Sequence, residues 1–452
     1  MIRGITRLFG SGGMTRLGYF GGTVVLNGLM SLISIPIVVA VVGADSWASM
    51  ATGQSIGASL AALVLFGWGL TGPATVAMTS PKGRPQLYLD SLTARAVLLL
   101  PSLALQAGVT LAVAPSDKLV AVVSGTAMLL AGASANWYFT GAGRSGLFLT
   151  LDTVPRVAGT IGGLIAVVAT GNLLFFALAQ LVGSIFALAA SAAVILARHP
   201  LDYRSALQWP RIRASLVQQR HGILATGLNA AFTPAALGVV ALLAPATLPV
   251  FVLANRLIGF IGMSLSPIFM LFQGWVPAAS GQERVRRLGI AGVVSAAAAV
   301  FSGVLCAALL PTFGVLLTHG EVVVSVSLAI VFGILAIVQT GSPFLSAVGL
   351  MAVGKVRTIA RSTAVGVPLA IILLAIAELV GTTELAVGGL IVGGGVIAAW
   401  QIFAIHRAIR EMPPEALSQL DQLDPIGQPR CLNPGINPAE RGGVTSVQPA
   451  TR

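Results

Sequence analysis

Apolar stretches long enough to cross a hydrocarbon core of about 30 Å as helices recur from one end of this 452-residue chain to the other. That repetition excludes a single anchor. Only 9% of the residues are charged and 56% are hydrophobic, against roughly 25% charged in an ordinary soluble domain. The chain therefore reads as an all-α polytopic membrane protein.

Hydropathy predicts about twelve transmembrane spans, near 18–42, 52–79, 92–114, 119–140, 148–169, 173–197, 222–243, 248–276, 288–310, 322–350, 362–380 and 385–406. Arg3, Arg7 and Arg16 precede the first run, which at about 25 residues is too long for a signal-peptide core and reads as a retained span. Charge sets the orientation. With the N-terminus in the cytoplasm, every Lys and Arg except Arg95, Lys118, Arg156 and Arg256 falls in an inner segment, and the outer loops hold Lys118 beside Asp45, Asp117, Glu321 and Glu384. Both termini are then cytoplasmic.

The expected organisation is a cytoplasmic N-terminus (1–17), an N-lobe of six spans (18–197), a basic cytoplasmic linker (198–221), a C-lobe of six spans (222–406) and a cytoplasmic tail (407–452). The linker, with Tyr203 and Trp209 among its arginines, reads either as a basic helix lying on anionic lipid or as a solvated positive-inside loop. The tail is proline-rich with no apolar period, which predicts disorder from about residue 411. Two echoes suggest a parallel duplication: Pro73 and Pro267 in the second span of each half, and Gly143-Arg144 and Gly354-Lys355 after the fourth.

Several function classes fall away. The net charge of +12 and pI near 11.1 arise from basic residues dispersed between apolar runs, so no nucleic-acid surface is expected. Cys306 and Cys431 are too few for a disulfide framework or a zinc site. His199, His221, His319 and His406 do not cluster with other ligands, so no metal, catalytic residue or cofactor is expected and the chain is not read as an enzyme. Gly141-Ala-Gly-Arg-Ser-Gly146 matches G-x-G-x-x-G without a preceding strand, and Gly349 to Lys355 resembles a phosphate-binding loop but has Val356 where Ser or Thr should hold magnesium. The pairs Gly53/Gly57, Gly159/Gly163 and Gly389/Gly393 predict close helix packing. Mid-span prolines, Pro36, Pro155, Pro234 and Pro368 among them, predict kinks.

The informative residues are charges that no span assignment moves into water. Each costs roughly 2.5–3.5 kcal/mol at a helix centre and therefore needs a compensating role. Arg156 lies about eight residues into the fifth span, roughly 12 Å deep, with Asp152 one turn earlier on the same face. Arg256 lies equally deep in the eighth span, next to Asn255. Two such guanidiniums facing a cavity between the halves suit a phosphate or diphosphate, whose oxygens they bind bidentately. An Asp152–Arg156 pair that merely pins the fifth span is the competing reading. For Arg95, shallow in the third span, snorkelling to the inner headgroups competes with a place in the cavity. Glu378 is expected to reach water. Asn27, Gln54, Asn136, Asn229, Gln273 and Gln339 offer uncharged hydrogen bonds suited to a sugar or to helix contacts.

Over roughly residues 18–406 the chain resembles the multidrug/oligosaccharidyl-lipid/polysaccharide exporter superfamily, specifically its bacterial Wzx-type polysaccharide (O-antigen) flippases. The resemblance rests on Leu26-Asn-Gly-Leu-Met-Ser-Leu-Ile-Ser-Ile-Pro36 leading to Val42-Gly43, and on Gly67-Trp-Gly-Leu-Thr-Gly-Pro73-Ala-Thr. It also rests on Asn136-Trp-Tyr-Phe-Thr-Gly141, followed by a span carrying Arg156. Leu253-Ala-Asn-Arg256-Leu resembles the segment of the related lipid II flippases that carries a cavity arginine. The resemblance implies a V-shaped pair of six-helix lobes, like that of the multidrug and toxin extrusion (MATE) transporters, alternating between inward- and outward-open states in the bacterial inner membrane. It implies undecaprenyl-diphosphate-linked oligosaccharide as cargo, with Arg256, Arg156, Asp152, Asn255 and Arg95 as candidate substrate-binding residues. Polysaccharide polymerase and glycosyltransferases are the implied partners.

Two charges leaving a negative-inside cell gain about 4.6 kcal/mol per 100 mV, so no nucleotide site is required. Cation-coupled drug exporters of the superfamily need cavity carboxylates, and spans one, two, seven and eight supply none. Lipid II flippases resemble a fourteen-span pattern. A scaffold for envelope enzymes that transports nothing is the reading from another class.

Overall fold

The computed structural model describes residues 11–114, 116–197, 201–317 and 324–411. Twelve of its helices are long and apolar enough to cross a membrane. They run Gly12–Val42, Asp45–Leu65, Arg84–Val113, Lys118–Gly141, Ser145–Thr170, Leu173–Leu196, Trp209–Leu243, Leu248–Trp275, Gly281–Val315, Val326–Leu350, Val356–Val380 and Thr383–Glu411. Among the described residues there is no strand. Expected disorder in the tail and the contacts of Arg3, Arg7, His199, His319 and Glu321 lie outside the described residues.

The helix of the seventh span starts at Trp209, so the second part of the expected linker continues that span rather than lying on the membrane as a separate helix. Ahead of it sits a single turn, Tyr203–Ala206, capped by Asp202 accepting from the Ser205 N–H. Arg211 anchors this entry by an ion pair with Asp90 at 2.8 Å. At the other end, helix persists to Glu411, past the residue 406 expected for the last span.

The second span is interrupted. Its helix stops at Leu65, Phe66 and Gly67 take left-handed conformations (φ 44° and 82°), and helix resumes over Trp68–Met78. Gly67 is required by its surroundings as well as by its φ, because a Cβ there would lie 3.0 Å from the Gly222 carbonyl carbon of the seventh span. Proline is not the breaker: Pro73 lies inside the resumed helix. The fifth span passes through a π-helical stretch, Phe148–Thr153, and the tenth ends in another, Phe344–Leu350.

Small residues bring the helices together. A Cβ on Gly53 or Gly57 would fall within about 2 Å of the carbonyl oxygens of Ala121 and Gly125, and one on Gly159, Gly163, Gly389 or Gly393 would stand less closely, 2.6 to 3.0 Å from neighbouring backbone. In lipid, where apolar side chains gain nothing by leaving their solvent, such approaches supply the packing energy.

The distribution of cores gives the molecule its shape. At the end distant from most arginines, one core is built from the first half alone (Val38, Met50, Val120, Phe176) and another from the second half alone (Val240, Phe251, Leu310, Phe332). At the basic end the cores are shared: Ala74 packs with Phe272 and Val348, and Met270 packs on the cluster of Trp68, Trp137 and Tyr138. Backbone meets backbone across the lobes there, since a Cβ on Gly274 would lie 2.4 Å from the Thr140 oxygen and one on Gly67 3.0 Å from the Gly222 carbonyl carbon. Buried Thr71 donates to Gln219 across the halves at 2.6 Å. Two six-helix lobes thus converge at the basic end and keep separate cores at the other.

Candidate functional site

A cavity of about 450 Å³ lies within the first lobe, between the first, second, fourth, fifth and sixth spans, and Arg156 and Asp152 line it. The π-helical stretch and the glycines after it position this pair. Gly159 approaches Gly183 closely enough for a Cβ to stand 3.1 Å from the Gly183 Cα, which draws the sixth span against the fifth. Arg156 then reaches Ser184 and donates Nη1 to its hydroxyl at 3.3 Å. Its Nη2 stands 3.5 Å from Asp152 Oδ1. This is an ion pair without a hydrogen bond, because both of those atoms lack a hydrogen-bond partner. Opposite, Gln54 donates to Gln180 at 3.1 Å, joining the second and sixth spans across the cavity wall.

A second cavity of about 460 Å³ lies between the lobes. Its polar lining is uncharged: Asn136 and Thr140 from the fourth span, Gln273 and Ser266 from the eighth, Gln339 and Thr340 from the tenth. Gly259 and Gly262 open it, since a Cβ at either would meet nothing within 4 Å. Asn136 and Phe148 line both cavities, so the charged and the uncharged chamber adjoin.

Of the expected site residues, the structure brings Asp152 and Arg156 together and leaves the others apart. Arg256 is exposed and lines neither cavity; it stands one helical turn from Gly259, on the extension of the stripe facing the cavity between the lobes. Asn255 donates its amide to Phe251 O of its own helix at 3.0 Å, and it too lines neither cavity. Arg95 neither snorkels nor enters a cavity. It is 1% exposed, donates to Ser134 O at 2.8 Å, Gly132 O at 3.4 Å and Ser91 O at 3.3 Å, and lies over the Trp137 ring. Its partners sit at the 3-10 turn Leu130–Ala133, so it holds the fourth span where that helix breaks. Glu378, expected to reach water, is buried instead. Ser184 and Gln180 are cavity residues that hydropathy passes over. The visible signal is two polar side chains at i and i+4 in an otherwise apolar span. Among the described residues no three His, Cys, Asp or Glu side chains gather as a metal centre requires.

No protein-family model matches the chain, and no curated protein matches it. Solved structures do. A MATE transporter in a bent conformation superposes with a TM-score of 0.68 at 12% identity, covering 89% of this chain and 95% of its own. An outward-facing multidrug resistance MATE family transporter of the MOP superfamily gives 0.66 at 12% identity, covering 88% and 97%. A variant of the Vibrio cholerae MATE transporter VcmN gives 0.64 at 16% identity, covering 89% and 97%. The chain shares the fold of these membrane transporters.

Proposed function

We propose that this transporter-fold protein is a flippase that moves undecaprenyl-diphosphate-linked oligosaccharide across the bacterial inner membrane by alternating access, for cell-surface polysaccharide biosynthesis. The observation that carries the reading is Arg156: a cavity-lining guanidinium whose Nη2 has no hydrogen-bond partner, beside a chamber lined by amides and hydroxyls. A guanidinium that is ion-paired only loosely with Asp152 and keeps an N–H without a hydrogen bond in a low-dielectric setting favours an anionic oxygen. The amides of Asn136, Gln273 and Gln339 match the hydrogen-bonding pattern of a glycan, and the lipid tail remains in the bilayer. Asp152 limits the positive charge, so the diphosphate competes with it for Arg156. Arg256, one turn beyond the chamber, is a second cation on the route toward the separated ends of the lobes. Polymerase and glycosyltransferase partners belong to this reading.

A cation-coupled small-molecule exporter is the second reading, favoured by the multidrug transporters that share the fold and by Asp152 Oδ1, buried without a hydrogen-bond partner. The two separate on one experiment. Arg156→Ala and Asp152→Asn are introduced in the native host with membrane levels matched. Surface polysaccharide and the inner-leaflet pool of lipid-linked oligosaccharide are then measured beside efflux of a cationic dye. The flippase reading expects Arg156→Ala to lower polysaccharide and swell the inner pool, with dye efflux unchanged. Loss of dye efflux in Asp152→Asn with normal polysaccharide would establish the exporter instead.

A further inference from the structure

The two lobes carry the same loop after their second spans. Arg84 donates Nε to Thr79 O at 3.0 Å, and Arg284 donates Nε to Ala279 O at 2.7 Å; the backbone N–H of each bonds the serine carbonyl four residues back, Ser80 or Ser280, at 3.3 Å. The loops after the fourth spans match as well. Gly143 and Gly354 have φ of 65° and 70°, and the Arg144 and Lys355 N–H groups reach Phe139 O and Leu350 O at 2.9 Å. Against that shared backbone the charges differ. In the second lobe Glu283 precedes the conserved-geometry arginine and binds Arg286 and Arg287 at 2.8 and 3.0 Å. In the first lobe the corresponding residue is Gly83, and Lys82 replaces Gln282.

Lys82, Arg84 and Arg144 therefore converge on a pocket of about 190 Å³, which Tyr138 also lines, with Val194 and Ile195 of the sixth span forming an apolar wall. Among the described residues no carboxylate lies within salt-bridge distance of these three cations. Converging like charges in a half-enclosed pocket repel one another until an anion joins them. Cations at a helix-end pocket beside the exposed apolar strip of the sixth span (Val194, Phe186, Val182) fit the phosphate of a lipid whose acyl chain follows that span. We infer that this pocket binds the phosphate headgroup of an anionic phospholipid in the leaflet at the basic end, a site separate from both transport cavities.

Native mass spectrometry of the full chain in mixed phosphatidylglycerol and phosphatidylcholine micelles tests this. Wild type should retain phosphatidylglycerol in preference to phosphatidylcholine. Gly83→Glu, which gives the first lobe the carboxylate of the second, should weaken that retention about tenfold or more, as should Lys82→Gln with Arg144→Gln. Gly83 has φ −85°, so a side chain is conformationally admissible, and Gly83→Gln should keep the lipid, separating charge from bulk. Retention unchanged in both charge variants, equal retention of phosphatidylcholine, or loss in Gly83→Gln matching that in Gly83→Glu would overturn the assignment. Displacement of the lipid by inorganic phosphate at equal concentration would also overturn it, by making a soluble phosphate the ligand.

Discussion

At the scale of single residues, burial and partners decide which of the deep charges serve structure and which face a cavity. Arg95 gives Nε and Nη1 to three backbone carbonyls, lies over a tryptophan face and lines neither cavity, so its remaining Nη2 faces only protein. Replacing it with Met leaves those carbonyls unpaired, at a cost of about 2–3 kcal/mol. Arg95→Met should lower the melting temperature in detergent without altering the ratio of transport activity to folded protein. Arg156 behaves oppositely. Its loss exposes Asp152 as an unpaired buried carboxylate, on the order of 3 kcal/mol, while the double change Arg156→Met with Asp152→Leu should restore most of the stability and none of the transport. A matched melting and transport series across the single and double variants reads both effects. The Asp152–Arg156 pair was legible because one turn of helix joins its members. The role of Arg95 was not, because its partners Gly132 and Ser134 lie about 40 residues away and become neighbours only where the fourth span breaks. Asn255 looked available in the sequence and is taken up by its own helix, a local bond that competes with any ligand.

At the scale of elements, glycine contacts rather than prolines set where helices break and cross. Pro73 carries the sequence signal for a kink, yet the interruption falls at Phe66-Gly67, where the seventh span presses on the backbone. A contact between spans roughly 150 residues apart leaves no trace in a hydropathy window, so the span appeared continuous. Gly53→Ala places a methyl about 2 Å from the Ala121 oxygen and should cost several kcal/mol, read as loss of folded protein by size-exclusion chromatography. The short linker helix has a milder dependence. Its cap, Asp202, is held below the usual carboxylate range chiefly by the Ser205 backbone N–H. Its contribution is present above the unfolded-state pKa and is lost as pH falls through the folded value. Protease accessibility of the linker should therefore rise on acidification in the wild type and stay level in Asp202→Asn, which accepts the same bond at every pH.

At the scale of the whole molecule, the number of spans and their grouping into two lobes followed from apolar run length and loop charge, quantities a sequence carries explicitly. The joining of the lobes did not, because it depends on Gly274 meeting Thr140, Gly67 meeting Gly222 and Thr71 meeting Gln219, contacts that exist only after both lobes have folded. If transport requires the lobes to part at this end, a short bis-methanethiosulfonate cross-link between Thr71→Cys and Gln219→Cys should arrest it and reduction should restore it. Unchanged transport in the cross-linked protein would rule that parting out. The placement of the shared core also sets a mechanical advantage. A 30-residue span is about 45 Å long, so a rotation of about 10° pivoting at the basic end sweeps the opposite tips through about 8 Å. Long arms on a short fulcrum would then turn shifts at the glycine contacts too small to break a core into an opening at the tips, which on the proposed flippase reading is wide enough for a sugar ring.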